Sequence, residues 1–505
     1  MNRFVLAVGI FSVILLGPVA SPTAAAASFT TDAYAQAREI LDAALEASGG
    51  AERINALKTV SWEQKGTLYA RNQSPRNEKP FDANTQESRS ILDLENGWLV
   101  SENTNRFPTF VFSNRTVIKG EDKYAINLVN RTFQPNENLE AVNFGFMHRL
   151  FPPLMLRKAL QQATSLRWLG RTDLDDRPHD VLTFAWDNGQ AVTLFIDAKT
   201  HLLTKYELLF PDALTGDAAA EIWFKGYREL DGLQVPSGFT WYLAGDLVGE
   251  LLYDSVKIDQ PVDEMVYAVP EGYTETDPPP ADLPKVTELA PDVFIVEGLA
   301  NGGYNMLFVA FDDYIVVMDA PISSGVSTQA IAQIKETVPD KPIRYLVLSH
   351  HHEDHSGGMR AFVAEGATIV TTEANRAFFE QMTSGTRSLA ADALSREPQK
   401  PSFEFVAGKR VFEDEAHRVE IIDIGPNPHA EELFVAYLPN EKILFEADLL
   451  TVPRSGPILP ANEATIRFAE AIDELDLEVD TLVGVHGTVG SVTDLETAMA
   501  AAKTN

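Results

Sequence analysis

The spacing of apolar positions changes character along the chain, and each change predicts an element. After Thr30-Thr31-Asp32, the residues Tyr34, Ala37, Ile40, Leu41, Ala44 and Leu45 recur at helical spacing until Gly49-Gly50. That pattern predicts an amphipathic helix with Thr31 or Asp32 as N-cap and the glycine pair as terminator. Strand-type patterns then dominate, over 60–69, 88–93, 123–130, 181–186, 191–196 and 202–209. Asp187-Asn188-Gly189 and Asp231-Gly232 supply hairpin turns between strands. A helical pattern near 138–163 interrupts them, and Pro152-Pro153 is expected to break it. The first half therefore reads as a β-rich α+β domain.

The second half is organised differently: short apolar runs end on polar, glycine-containing motifs. Such runs occupy 345–348, 419–422 and 482–485, while 433–438 pairs with 442–448 across Pro439-Asn440-Glu441. Between the halves, Thr274-Glu275-Thr276-Asp277-Pro278-Pro279-Pro280-Ala281-Asp282-Leu283-Pro284 marks a stiff, extended linker. These signals give a domain over 28–272, a linker over 273–285 and a second domain over 286–505. A loop over 383–401, rich in Ser, Ala and charge, reads either as a cover over a substrate site or as an outer helix with a solvated face.

The first 27 residues carry a different signal. Met1-Asn2-Arg3 gives a positive start, residues 4–16 an apolar core broken by Gly17-Pro18, and Ser21-Pro22-Thr23-Ala24-Ala25-Ala26-Ala27 a small-residue cleavage region. This predicts a signal peptide cleaved after Ala27, with no integral membrane segment afterwards and a periplasmic or secreted product. With no cysteine in the chain, there is neither lipid attachment nor a disulfide.

Composition narrows the chemistry. The 505 residues are 45% apolar, enough for two cores, and the formal charge of -32 argues against nucleic acid as a partner. The expected partner is a small molecule.

The densest chemical signal is Ser349-His350-His351-His352-Glu353-Asp354-His355-Ser356-Gly357-Gly358, directly after the apolar run 345–348. In extended backbone alternate side chains share a face, so His350 and His352 can converge while His351 and Glu353 point away. Asp354 and His355 follow at a turn where Gly357-Gly358 is expected to let the backbone bend. Further candidates close later strands: His429 in Asp423-Ile424-Gly425-Pro426-Asn427-Pro428-His429, Asp448 after Lys442-Ile443-Leu444-Phe445-Glu446-Ala447, and His486 in Leu482-Val483-Gly484-Val485-His486-Gly487. His417, beside Glu413-Asp414-Glu415-Ala416, reads as a surface residue. Imidazole and carboxylate donors without thiols suit Zn first and Fe or Mn second.

With these motifs, residues 286–505 resemble the metallo-β-lactamase superfamily. His350, His352, Asp354 and His355 meet its His-x-His-x-Asp-His motif, and His429, Asp448 and His486 follow in family order. The resemblance implies an αββα sandwich of two sheets between helices. It also implies one metal held by His350, His352 and His429, and a second held by Asp354, His355 and His486, with Asp448 bridging. Asp319, in Val316-Val317-Met318-Asp319, matches a family position near the site, and reads either as a support for the ligands or as a plain strand-end carboxylate. His429 departs from the family pattern, standing between Pro428 and Ala430-Glu431-Glu432. Asp448 draws the resemblance away from β-lactamases toward lactonase-like and thioesterase-like hydrolases.

Two zinc ions so held would lower the pKa of bound water to about 7, supplying hydroxide for attack on an ester, thioester, lactone or amide, with Asp354 as general base. Two other functions stay open: iron-dependent redox chemistry on the same fold, and an apolar-ligand binding protein with an accessory metal domain. The second draws on the N-terminal half, where Ser48-Gly49-Gly50-Ala51-Glu52-Arg53 and Tyr227-Arg228-Glu229-Leu230-Asp231-Gly232-Leu233-Gln234-Val235-Pro236 are similar to periplasmic lipoprotein-sorting and carrier proteins. That resemblance implies a curved antiparallel sheet around an apolar cavity for acyl chains. Trp62, Phe110, Phe112, Trp186, Phe195, Trp223 and Trp241 are its candidate lining, or ordinary core.

Overall fold

The computed structural model describes residues 28–107, 111–139, 146–276, 283–454 and 456–503. The expected signal segment, Phe110 and residues 277–282 of the Pro-rich linker lie outside these residues. Among the described residues no helix is long and apolar enough to cross a membrane.

The N-terminal half is one 14-stranded sheet, antiparallel throughout except where Thr274–Glu275 runs parallel to Thr132–Pro135 at one edge. Helix Phe29–Ala47 buries Ala37, Ile40, Leu41, Ala44 and Leu45 on a single face, as the spacing predicts. Its N-cap is Ser28, ahead of the expected Thr31 or Asp32, because those two residues already lie in the helix's first turn. Gly49 and Gly50 end it with φ of 124° and 90°, backbone that costs a residue with a Cβ strain. A Cβ on Gly49 would also sit 2.3 Å from the carbonyl oxygen of Gly232. The two glycine turns singled out in the sequence are thus packed on each other, with Gln234 N donating to Ser48 O at 3.1 Å.

A second helix, Pro152–Gln161, packs beside the first. As expected, the helical stretch is interrupted at Pro152-Pro153: residues 146–149 are helical, the helix breaks at 150–151, and the proline pair begins the next one, at positions whose amide hydrogens would have no intrahelical partner. Both helices lie in one core with Trp62, which stacks on Phe151 at 6.3 Å.

Near the second helix a cavity of 720 Å³ opens, with Trp186, Tyr206, Ile222 and Trp241 in its wall. Of the seven aromatics expected to line a cavity, Trp186 and Trp241 do so, while Trp62 is core. Phe195 and Trp223 pair across strands with Lys205, whose ammonium lies 4.4 and 4.6 Å from their rings. They therefore share the Lys205 face, opposite to that of its neighbour Tyr206 in the cavity wall. Phe112 is largely exposed.

The C-terminal half has the expected four layers. A seven-stranded sheet runs from Lys285–Ala290 to Ser402–Phe405, and a six-stranded sheet from Lys409–Glu413 to Gly490–Ser491. Val309, Val316, Met318 and Val347 of the first meet Val419, Phe434, Phe445 and Val483 of the second in a shared core. Helices Ser324–Thr337, Met359–Ala364 and Arg376–Ser384 cover the outer face of the first sheet. Helices Glu463–Glu474 and Val492–Ala502 cover the second.

Strands Ile315–Met318 and Ile343–Val347 are parallel, as are Ile443–Glu446 and Thr481–Gly484. Arg418–Asp423 shares the direction of Ile443–Glu446, since Phe434–Leu438 runs antiparallel to both. The loops carrying Asp319, His350–His355, His429, Asp448 and His486 all follow the carboxyl ends of these strands, and the contacts described below bring them into one cluster.

The loop over 383–401 neither covers the metal-ligand candidates nor forms a plain outer helix. Its first part clasps the N-terminal sheet: Asp217 N donates to Thr386 O at 2.7 Å, Arg387 donates to the carbonyls of Asp212 and Ala213, and Ser388 bonds the Asp217 carboxylate. Gly216 and Gly385 permit this approach, because a Cβ on either would lie within 2.3 Å of the other segment's backbone. A short helix, Ala393–Arg396, follows.

Candidate metal centre

The strand Ile343–Val347 stops before the histidines, and His352 instead caps a single helical turn, Glu353–Ser356. The convergence expected of His350 and His352 survives, their ring centroids lying 4.4 Å apart. His351 turns away to pack edge-on against Phe378, and Glu353 turns to Asn72. Gly357 and Gly358 have ordinary negative φ, so their role is space rather than bending. A Cβ on Gly357 would meet Ile322 O at 2.3 Å, and one on Gly358 would meet Ser327 Oγ at 1.9 Å.

All seven residues expected as metal ligands come together, in two groups. The donor atoms of His350, His352, His429 and Asp448 lie within 4.8 Å of one another, as do those of Asp354, His355, Asp448 and His486. Asp448 belongs to both groups: its Oδ2 is 2.9 Å from His355 Nε2 and 3.0 Å from His429 Nε2, and its Oδ1 is 2.9 Å from His486 Nε2. Asp448 and Asp319 have φ of 64° and 63°, strained backbone of the kind that collects at functional sites.

Four imidazoles are held by one ring nitrogen so that the other is free to coordinate. His350 Nδ1 bonds Ser349 Oγ at 3.0 Å, and that hydroxyl donates to Asp319 Oδ2 at 2.8 Å. His355 Nδ1 donates to Asp319 Oδ2 at 3.1 Å, and His486 Nδ1 to Gly303 O at 3.1 Å. His352 Nε2 donates to Ser74 O at 3.0 Å, leaving its buried Nδ1 without a hydrogen-bond partner. His350 Nε2 and His429 Nε2 face each other at 3.1 Å. Lone pairs converging on a common point, each backed by a hydrogen bond on the far nitrogen, are what a bound cation requires.

Electrostatics divide the two groups. Burial, reinforced by neighbouring imidazoles, holds His350 and His352 well below the ordinary histidine range, so both stay neutral. Burial also disfavours the charged forms of His355 and His486, but Asp448 and Asp354 outweigh it, and His486 is pushed up to about 10. A cation entering the second group therefore displaces protons. The residues fit a pair of divalent metals: His350, His352 and His429 would hold one, Asp354, His355 and His486 the other, with Asp448 between them.

Several contacts at the site carry no signal in the histidine motif. Tyr304 sets its ring edge-on against His486 at 4.6 Å and donates its hydroxyl to Asp354 Oδ2 at 3.4 Å. Burial and Asp354 raise its pKa far above the usual phenol value, so it acts as a donor. Its one sequence cue is the Asn301-Gly302-Gly303 turn before an apolar strand. Gln73 Nε2 reaches Asp354 Oδ1 at 2.7 Å from the N-terminal half, with no cue at all. His417 is buried rather than at the surface, edge-on to Phe311, and outside both donor groups.

Residues 302–486 match the family model described as the metallo-beta-lactamase superfamily. The C-terminal half is a metallo-β-lactamase superfamily domain. The α subunit of 2,4-dinitroanisole O-demethylase from Nocardioides sp. strain JS1661 is 24% identical over 166 residues, 32% of this chain and 46% of that protein. Linear primary-alkylsulfatase from Pseudomonas sp. strain ATCC 19151 is 22% identical over 215 residues, 34% of this chain and 39% of that protein. The chain thus spans less than half the length of either curated relative. Among solved structures, a metallo-β-lactamase from Pontibacter korlensis is 22% identical with a TM-score of 0.34, covering 44% of this chain and 99% of that one. Metallo-β-lactamase domains bind divalent metal, and the two His/Asp groups stand where this domain would hold it.

Proposed function

We propose that the protein is a metal-dependent hydrolase, with two zinc ions as resident metals, acting on an ester, thioester, lactone or amide that carries an apolar group. The observation that carries this reading is Asp448, shared between two groups of neutral or displaceable nitrogen donors. A metal pair bound there supplies Lewis acidity and a water ionised at neutral pH. Asp354 has one oxygen fixed by Gln73 while the other faces His355, His486 and Tyr304, a placement suited to taking a proton as the reacting water loses it. Tyr304 presents a hydroxyl that stays protonated and can steady that carboxylate. The cavity of the N-terminal sheet, with its aromatic wall, supports an apolar or acylated substrate. A periplasmic or secreted location belongs to the same proposal and rests on the signal-like N-terminus.

The test is metal analysis of the purified full-length protein together with one assay panel of lactones, thioesters, aryl esters and β-lactams. The names of the two relatives add a linear alkyl sulfate and an aryl methyl ether to that panel. Two zinc equivalents with turnover of any ester-type bond support the proposal. Iron, with no hydrolysis across the panel, would overturn it in favour of redox chemistry.

A further inference from the structure

One segment of the N-terminal domain, residues 71–75, lies across the metal centre of the C-terminal domain. Gln73 Nε2 donates to Asp354 Oδ1 at 2.7 Å, and the Ser74 carbonyl accepts from His352 Nε2 at 3.0 Å. On either side, Asn72 Nδ2 donates to Glu353 Oε2 at 3.1 Å and Glu431 N donates to Pro75 O at 2.9 Å. The segment thus touches both the His350–His355 loop and the loop that carries His429.

We propose that this segment is a working part of the metal centre, with Gln73 and the Ser74 carbonyl as positioning groups for Asp354 and His352. The inference rests on the metal reading above and extends it across the domain boundary. The Ser74 carbonyl fixes the tautomer of His352: with the proton on Nε2, the buried Nδ1 is left as the coordinating atom. Gln73 ties down one oxygen of Asp354 and leaves the other facing His355 and His486 at 3.4 and 3.7 Å. An amide suits that place, since it donates without bringing a second negative charge beside the carboxylate.

The segment is built to hold its position. Arg71, almost fully buried, bonds the carboxylates of Asp212 and Asp246 at 2.7 and 2.9 Å. The Ser74 hydroxyl closes the turn, donating to Ala70 O at 3.1 Å and accepting from Asp82 N at 2.7 Å. Asn77 donates to Asn375 Oδ1 and to Ala374 O, pinning the far side of the loop. A positioning group must be less mobile than what it positions, and these bonds meet that condition.

The experiment uses the full-length protein loaded with cobalt(II), reading metal affinity by chelator competition and coordination by the visible absorption bands. Gln73→Met keeps the volume and removes the donor; Gln73→Glu adds the charge that the amide avoids. Both are expected to weaken one of the two metal equivalents by roughly 10- to 100-fold and to shift its absorption. Ser388→Ala, which loosens the same domain boundary at Asp217 away from the metals, is expected to leave both unchanged. Wild-type affinity and spectrum in both Gln73 variants would overturn the inference, and so would an equal loss in Ser388→Ala. A wild-type protein that binds no cobalt would overturn the metal reading itself, a distinguishable result.

Discussion

Asp319 Oδ2 accepts the Nδ1 proton of His355 at 3.1 Å, joining the turn after one strand to the helical turn that follows the next. The same carboxylate also accepts from Ser349 N at 2.7 Å and Ser349 Oγ at 2.8 Å, and so backs His350 through that hydroxyl. One fully buried residue thus orients an imidazole in each donor group. Asp319→Ala is expected to weaken both metal equivalents by about 10- to 100-fold. Ser349→Ala, which leaves the His355 bond intact, should weaken chiefly the equivalent held by His350. Chelator competition on the two variants checks the difference, and equal losses at both positions in Ser349→Ala would speak against this division.

Asp448 stands between the groups, and its removal should act on both. Asp448→Ala is expected to lose both metal equivalents and to lower turnover by about a thousandfold, several kcal/mol of lost charge stabilisation. His352→Ala should lose a single equivalent, because the second donor group does not include it. Metal content and turnover measured on the same preparations decide the matter. Full activity in His352→Ala once that equivalent is lost would remove the proposed chemistry.

How much of this was legible in the sequence follows from range. His350, His352, Asp354 and His355 announce themselves because neighbours in sequence share one loop, and His429, Asp448 and His486 because each closes an apolar strand. The four-layer sandwich was legible only through the family resemblance that those ligand motifs carry, since short apolar runs with polar ends give strands but not their arrangement. Gln73 and Ser74 were not legible: about 280 residues separate them from their partners, and no spacing rule reaches that far. Of the two readings of the loop over 383–401, the outer helix is met only by Ala393–Arg396, whose Leu394 joins the core beneath the first sheet's helices, while the clasp on the N-terminal sheet had no cue in its polar composition. Pro152-Pro153 was legible as a break because proline cannot continue a helix from the preceding turn, though it starts a new one readily.

Glycine at 357 makes a prediction opposite in sign to glycine at 325. Gly357 has unstrained φ, but a Cβ there would meet the carbonyl oxygens of Ile322 and Glu353 at 2.3 and 2.5 Å, neither of which can swing away as a side chain would. Gly357→Ala is expected to destabilise by about 1–3 kcal/mol, the usual cost of overpacking. Gly325 lies in the first turn of helix Ser324–Thr337, where a Cβ would find only Ser323 Oγ at 3.7 Å. Gly325→Ala should stabilise by about 0.5–1 kcal/mol through helix propensity. Thermal unfolding of the two variants should give shifts of opposite direction, and shifts of the same sign would contradict the steric account.

Asp392 ties the pH dependence of stability to the loop that clasps the domains. Its carboxylate accepts from Arg360 Nε at 2.6 Å and Nη2 at 3.0 Å, from Ser395 N at 2.8 Å and from Ser324 Oγ at 2.9 Å. Burial works against its ionisation, but Arg360, then Ser395 and Ser324, outweigh that and hold the carboxyl well below the ordinary aspartate range. The folded chain therefore binds this proton more weakly than the unfolded chain, whose value is about 3.9. The stabilisation is present in full above that value and is lost as the pH falls toward the folded one. Asp392→Asn leaves Arg360 buried without its counter-charge, which should cost on the order of 3 kcal/mol at pH 7. As the pH falls below about 4, the unfolded wild-type chain takes up a proton that the folded carboxylate still refuses, so the wild type loses stability that the Asn variant never had and the gap between the two proteins should narrow. Melting temperatures of both from pH 7 to pH 3 test this: converging curves agree with the assignment, whereas a constant offset would mean that Asp392 contributes through packing and not through its charge.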